Sequence, residues 1–355
     1  MISINKKKIG DGNPCFITFE AGPTHQGYAS AKRLIKKAFI AGADAIKFQI
    51  LDPERLIHNK KQTFEFEILI NKKTGKTKKI SKTLYSLMKE RSLKKVEWTK
   101  LKDYADSLGI SFFATVGFED EVDFIKKIGC QSIKIASADV NHFPLIDHAA
   151  KSKLCIQLDT GMSTLEEINE AIHIITKRGN EKIIIHHCPS GYPASLNGVN
   201  LNIIKTLKKK FPYPIAFSDH SPGFLMDIVA LGCDVNLLEK TITENRLFPS
   251  VEHVMSLEFD NMKKFVNIVR DIEKAKGKKI KILNKKDKLN IKYLRRSPYL
   301  DKSAKKNSFL KDAKITFKRP GTGLSPAEFV KLKNYKFKLN LPKTSLLKKI
   351  YLKKS

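Results

Sequence analysis

No apolar run in this 355-residue chain approaches the ~20 residues needed to cross a bilayer. No apolar signal-peptide core follows the lysine-rich start, Met1 to Gly10. Both absences lead to the expectation of a cytoplasmic protein with no membrane partner. Cysteine is scarce: Cys15, Cys130, Cys155, Cys188 and Cys233 are an odd number with no CxxC spacing, and four lie in or beside apolar, β-rich stretches. That argues against a zinc ribbon or a disulfide framework and fits buried thiols in a reducing compartment. Arginine is scarce too, nine against 58 lysines. A formal charge of +31 would ordinarily suggest nucleic acid or an acidic membrane. Here the excess is spread along the whole chain, and specific readers of bases and phosphates favour arginine. There is no zinc finger, RNA-binding aromatic motif or basic helix repeat. The surplus therefore reads as a solvated surface that helps to steer an anionic substrate, and no nucleic-acid partner is expected.

With 41% hydrophobic and 29% charged residues, the chain has enough apolar side chains for a sizeable core. Short β-branched runs alternate with amphipathic stretches. Strands are predicted at residues 16–20, 45–49, 111–115, 132–136, 154–158, 182–187, 215–218 and 235–239. Helices are predicted at 29–40, 95–107, 119–128, 164–176, 202–210 and 257–275. Eight such repeats imply a parallel sheet, and the count favours an α/β fold closed as a (β/α)8 TIM barrel. A doubly wound open sheet is the alternative, but no GxGxxG follows the first strand. Residues 64–70 and 77–81 flank Asn71-Lys-Lys-Thr-Gly-Lys76 and read as an inserted hairpin, either a lid or a surface decoration. Domain boundaries are expected at 1–275 for the barrel, 276–294 for a polar lysine-rich linker, and 295–355 for a small β-rich domain. Trp98 reads as core; His58, His142, His148 and His173 read as solvent-facing or structural.

Side chains at the C-terminal ends of barrel strands point into the mouth, where TIM-barrel active sites lie. The polar strand ends are rich here: Glu20; Lys47 and Gln49, which share a face; Thr115; Lys134, Ser137 and Asp139; His186-His187; Ser218-Asp219-His220; Glu239-Lys240-Thr241. Of the two adjacent histidines only one can point inward; His187 is the expected one on the resemblance given next, where it precedes Cys188. Two inward lysines with hydroxyls and an amide suit a phosphorylated, carboxylated ligand, because buried ammonium groups without anions are costly. The plainer reading has Lys47 and Lys134 paired internally with Glu20, Asp139 or Glu239.

The string Glu20-Ala-Gly-Pro-Thr-His-Gln-Gly27 resembles the first-strand motif of the sialic acid synthase family. Further matches follow in order: Gly42-Ala-Asp-Ala-Ile-Lys-Phe-Gln49, Lys134-Ile-Ala-Ser137, Thr160-Gly-Met162, His187-Cys188 with Tyr192-Pro193, and Ser218-Asp-His220. Arg295-Arg-Ser297 and Lys318-Arg-Pro-Gly-Thr-Gly323 resemble the family's C-terminal antifreeze-like domain, a β-clip module. The resemblance implies a nonulosonic acid synthase, which condenses phosphoenolpyruvate with an N-acylated hexosamine such as N-acetylmannosamine and releases phosphate. The implied catalytic set is Glu20, Lys47, Lys134 and Asp139, with Glu20 handling protons. Lys47, Gln49, Thr115, Lys134, Ser137 and Ser218 would hold phosphoenolpyruvate. Asp139, Tyr192 and Glu252 would face the sugar, and Arg319 would reach it from the partner in a domain-swapped homodimer.

Several positions depart from the family pattern; at the sugar site Asp139 stands in place of a longer glutamate and Glu252-His253 in place of Pro-Asp-His. A divalent metal, manganese or magnesium, is implied on His220, but Thr241 stands where a second histidine ligand is found, and a neutral hydroxyl is a poor replacement for imidazole. Asp159 stands where many members have serine, and Ser190 where they have asparagine. A related synthase on a different aldose with reduced or no metal dependence, and a non-catalytic binding protein built on the same barrel, are the alternatives.

Overall fold

Eight short runs of β-branched and aromatic residues, none able to satisfy its own edges, close on one another as a parallel barrel. The computed structural model describes residues 2–277 and 280–355. Its barrel strands are β1 (Phe16–Glu20), β2 (Ala45–Gln49), β3 (Ser111–Thr115), β4 (Ser132–Ile135), β5 (Cys155–Asp159), β6 (Ile183–His187), β7 (Ile215–Asp219) and β8 (Leu237–Thr241). They pair in chain order and β8 closes on β1, which makes the (β/α)8 barrel expected from the sequence. β8 lies two residues later than predicted, and β5 extends to Asp159. At both ends the ladder continues through polar residues, Thr241 opposite Glu20 and Asp159 opposite His186, which an apolar run does not reveal.

The helices cover the barrel with apolar stripes. In α1 (Tyr28–Ala41), Ala31, Leu34, Ile35 and Ala38 recur at helical spacing and are buried. The helix stops at Gly42, whose φ of 88° lets its N–H reach back to the carbonyls of Ala38 and Phe39. Helix α2 (Lys95–Leu108) carries Trp98, which is 2% exposed and packs edge-on to Phe48 and Phe112. Trp98 is thus core, as its helical face predicts.

The bottom of the lumen holds a feature the sequence reading passed over. Strands Ile2–Ile4 and Lys7–Ile9 form a hairpin. Its Ile2, Ile4 and Ile9 join Phe16, Ala45, Phe113, Cys155, Ile184, Ala216 and Leu237 in one buried apolar cluster. The inward positions of the lower strands are therefore filled, and polar side chains are left for the upper layers. The inserted hairpin is present as Thr63–Leu69 paired with Thr77–Thr83. Its Leu69 packs on Val254 and Met255, and Lys72 pairs with Glu258 at 2.5 Å, so it is fastened to the loop that follows β8.

Chain contacts divide the protein into Met1–Lys276 and Gly277–Ser355. Lys278 and Lys279, inside the expected linker, lie outside the described residues. Also within that expected linker, Lys285–Leu294 is a helix, begun by reciprocal bonds between Asn284 and Asp287. The second unit has its own core, with Leu300, Leu310, Leu324, Phe337, Leu347 and Leu352 buried. Short strands pair as Ser297–Leu300 with Ile315–Lys318 and Lys336–Phe337 with Leu352–Lys353. A Cβ on Gly323 would lie 2.3 Å from the Leu347 carbonyl oxygen, so that position in the Lys318–Gly323 string admits no side chain. Among the described residues no helix is long and apolar enough to cross a membrane.

Phe113 is 1% exposed in the lower lumen. Phe113→Ala is expected to lower stability by ~3–5 kcal/mol through lost burial and a residual cavity, measured by urea unfolding. A loss under ~1 kcal/mol would show that the lumen floor is loosely packed.

Candidate active site

Alternation along each strand lifts one side chain in two into the lumen, and parallel register brings those from neighbouring strands to one level. Thr241, Glu20 and Lys47 stand side by side on β8, β1 and β2. Gln49, Thr115 and Lys134 continue the ring across β2, β3 and β4. The result is a buried charge cluster. Lys47 contacts the Glu20 carboxylate and lies 2.9 Å from Glu239. Lys134 lies 2.6 Å from Glu239, 2.9 Å from Asp159 and 2.8 Å from the Ser218 hydroxyl. Thr115 is 3.5 Å from Lys47. Lys47, Lys134, Glu20 and Glu239 are all at most 4% exposed. The internal partners of the lysines are thus Glu20, Glu239 and Asp159, and Asp139 is not among them.

This burial would be prohibitive for unpaired ions, and pairing decides each protonation state. Burial works against the Lys134 charge, yet Asp159 and Glu239 outweigh it and hold the ammonium above its ordinary value. Lys47 is shifted the other way, because burial outweighs its attraction to Glu239. Burial opposes the Glu239 carboxylate, but Lys134 and Lys47 together hold it well below the usual carboxylate range. For Asp159 burial wins and its carboxyl is raised.

His186, not His187, faces the lumen, which corrects the expectation. His186 is fully buried, 2.9 Å from Gln157 Oε1 and 3.3 Å from Ser218 Oγ. Burial and then Lys134 keep it neutral. His187 turns outward, stacks on Phe217 and donates from Nε2 to the Val199 carbonyl at 2.7 Å. β6 reads Ile-Ile-Ile-His-His, so its apolar residues carry no phase to say which histidine points in.

Two glycines make room at the mouth. A Cβ on Gly22 would fall 2.5 Å from Glu20 Oε1 and 2.8 Å from the Gln49 nitrogen. A Cβ on Gly161 would fall 2.5 Å from the Cys188 carbonyl oxygen and 3.4 Å from Ser137 Cβ. Gln49 and Ser137 thereby flank the cluster. Glu252 lies farther out, 7% exposed, and accepts a hydrogen bond from Thr241 at 3.3 Å. Burial pushes its carboxyl up to about 7. Tyr192 is 40% exposed, with its ring 4.7 Å from that of His220. Asp139, raised by burial, sits half-buried on the short turn Ser137–Asp139, and Ser190 is exposed; neither bonds to the lysine cluster. Arg319 belongs to the second unit, where it is exposed and donates from Nε to the Leu294 carbonyl at 2.8 Å.

A metal held by protein imidazoles does not fit these residues. His220 Nδ1 lies 3.1 Å from the Pro189 carbonyl oxygen, which leaves Nε2 as its one free donor, and the Thr241 hydroxyl is committed to Glu252. Among the described residues no three His, Cys, Asp or Glu side chains are grouped to ligate an ion. His220 alone is a sparse donor set for a transition metal.

The comparisons with known proteins agree with this architecture. Residues 34–281 match the model of the NeuB family. The N,N'-diacetyllegionaminic acid synthase of Legionella pneumophila is 32% identical over 340 residues, 94% of each chain. The human N-acetylneuraminate-9-phosphate synthase is 30% identical over 282 residues, 78% of this chain and 75% of its own. A crystal structure of the N-acetylneuraminic acid synthetase of Leptospira borgpetersenii, in complex with citrate, superposes with a TM-score of 0.71 at 31% identity, covering 82% of this chain and 94% of that one. The chain belongs to the NeuB family, that of the sialic acid synthases.

Proposed function

We propose that this chain, by family a synthase that condenses phosphoenolpyruvate with a sugar, joins it to the open-chain aldehyde of an N-acylated hexosamine of the N-acetylmannosamine type. The observation that carries this reading is the pair of buried ammonium groups, Lys47 and Lys134, 4% and 1% exposed at the C-terminal mouth of the barrel. Fixed cations in a water-poor site are strong anchors for phosphate and carboxylate, and Thr115, Ser218, Gln49 and Ser137 supply neutral hydrogen-bond partners beside them. The methylene carbon of phosphoenolpyruvate attacks the aldehyde carbon, whose oxygen takes up a proton, and the phosphate-bearing carbon becomes an oxocarbenium ion. Water adds to that carbon and loses one proton; the new hydroxyl loses the second and becomes the keto group as phosphate leaves with the bridging oxygen. Glu20, in contact with Lys47, is placed to move a proton at the tetrahedral stage. Glu252 and Tyr192 line the outer mouth, where the sugar would lie.

No step here runs through a metal ion. With His220 as the one histidine at the implied metal positions and Thr241 in place of the second, the site favours a synthase of reduced metal dependence. The second unit is assigned as an antifreeze-like domain, with Arg319 presented to the sugar of a partner subunit in a domain-exchanged homodimer.

Calorimetric titration of phosphoenolpyruvate into the protein tests the reading without prior choice of a sugar. Saturable binding is expected, weakened at least ~100-fold in Lys47→Ala, the scale for losing one partner of a buried charged contact. Circular dichroism checks that the variant is folded. Absence of binding to the parent, or equal binding to the variant, would contradict it.

Glu252 gives a second prediction, on stability. Its carboxyl rises from an ordinary 4.5 to about 7 in the fold, so its ionisation opposes folding. The cost is absent below the lower value and grows as pH rises through the window, by up to ~1.4 kcal/mol per pH unit. Glu252→Gln is expected to gain little at the acid end and to be distinctly more stable than the parent at about pH 8. Thermal unfolding at both ends of the window reads this, and an equal effect at both would refute it.

A further inference from the structure

An ammonium group has three protons to donate. Around Lys134 Nζ, Glu239 Oε1 at 2.6 Å and Ser218 Oγ at 2.8 Å accept two of them, and Asp159 Oδ1 stands at 2.9 Å as an ion-pair partner without an aligned hydrogen bond. Asp159 thus covers the side of the ammonium that Glu239 and Ser218 leave free, the place an arriving anion would take. Glu239 is the fixed member, because it also lies 2.9 Å from Lys47 and accepts from Ser218 at 3.0 Å. Asp159 is the replaceable one. It stands at the last position of β5, it is 8% exposed, and the neutral His186 ring lies 3.7 Å away, which adds no second counter-charge.

Charge makes the same selection. Three carboxylates, Glu20, Glu239 and Asp159, surround two ammonium groups, Lys47 and Lys134. Adding a multiply charged anion to that set in a buried site is strongly unfavourable unless one carboxylate becomes neutral.

We propose that Asp159 is a proton-linked place-holder on Lys134: phosphoenolpyruvate takes its position there, and Asp159 binds one proton from solvent as it gives way. The inference rests on the function proposed above. No covalent bond changes; the carboxylate becomes a carboxylic acid and can then donate a hydrogen bond to the anion that displaced it. The groups facing Asp159 are Lys134 on β4, Lys47 on β2, Glu239 on β8, His186 on β6, and Cys188 and Tyr192 just beyond β6, with Glu20 reached through Lys47. Burial holds the Cys188 thiol and the Tyr192 phenol well up, His186 is held neutral, and Glu239 is held ionised, so these four keep their state through the neutral range.

The test is calorimetric titration of phosphoenolpyruvate at one pH in buffers of different ionisation enthalpy, which counts protons taken up, repeated across the neutral range. The proteins are the parent, Asp159→Asn, Asp159→Ser and, because Glu252 also titrates near neutrality, Glu252→Gln. The parent and Glu252→Gln are expected to take up about one proton more than either Asp159 variant. Their affinity should tighten by up to about tenfold per unit fall in pH relative to those variants. Both Asp159 variants should bind at least as tightly as the parent at the alkaline end. Equal proton uptake and equal pH slopes in parent and Asp159 variants would overturn the proposal and leave the function standing. Loss of binding in both Asp159 variants would overturn it too, since a place-holder is dispensable for binding. No binding to any of the four proteins would remove the function and this inference together.

Discussion

Lys47 and Lys134 take two ammonium groups out of water at the mouth of a barrel whose floor is sealed by apolar side chains. Each ion removed from water costs several kcal/mol, and attraction in the interior offsets this only where partners are placed well. The partners come from across the ring: Glu20 from β1, Asp159 from β5, Ser218 from β7 and Glu239 from β8. Strand register, the lumen floor and the tight glycine turns at Gly22 and Gly161 are conditions for that placement. Losing one carboxylate leaves a buried charge without its counterion, so the cluster is expected to be stiff, with Asp159 as its adjustable edge.

Much of this was legible from the chain. Eight β-branched runs, helical spacing in α1, the Asn71–Lys76 turn and polar residues at strand ends lead directly to the barrel, its helices, the inserted hairpin and the mouth. Period-two alternation also places Lys47 with Gln49. What stayed hidden was non-local or without phase. Asp159 reads from the sequence only as a departure where many members have serine, because its pairing with Lys134 joins residues on different strands. His187 is preferred over His186 on the family pattern alone, because the three isoleucines before them on β6 give no phase to correct it. The N-terminal hairpin did carry a signal: Ile2, Ile4 and Ile9 all face the lumen floor, around Asn5 and Lys6 with φ of 47° and 66°. Its lysines drew the reading toward surface charge. The helix Lys285–Leu294 has no buried side chain, so only its cap marks it.

Two departures from the family pattern carry polar contacts at the mouth. Thr241 bonds to Glu252, and Asp159 pairs with Lys134, the lysine that the anion would use. A lysine paired with a carboxylate and an outer carboxyl raised to about 7 both make the charge of the mouth depend on protons. That is a different balance of charges on the same scaffold, consistent with a fold that hosts altered chemistry through its loop and strand-end residues.

The proposed function stands on carbon–carbon bond formation between phosphoenolpyruvate and an N-acylated hexosamine. Release of inorganic phosphate from phosphoenolpyruvate, followed while a panel of N-acylated hexosamines is added one at a time, tests it most directly. The account predicts release only when a matching acceptor is present, with one phosphate for each nine-carbon keto acid formed. Release without any sugar, or none with every N-acylated hexosamine while simple aldoses support it, would contradict it.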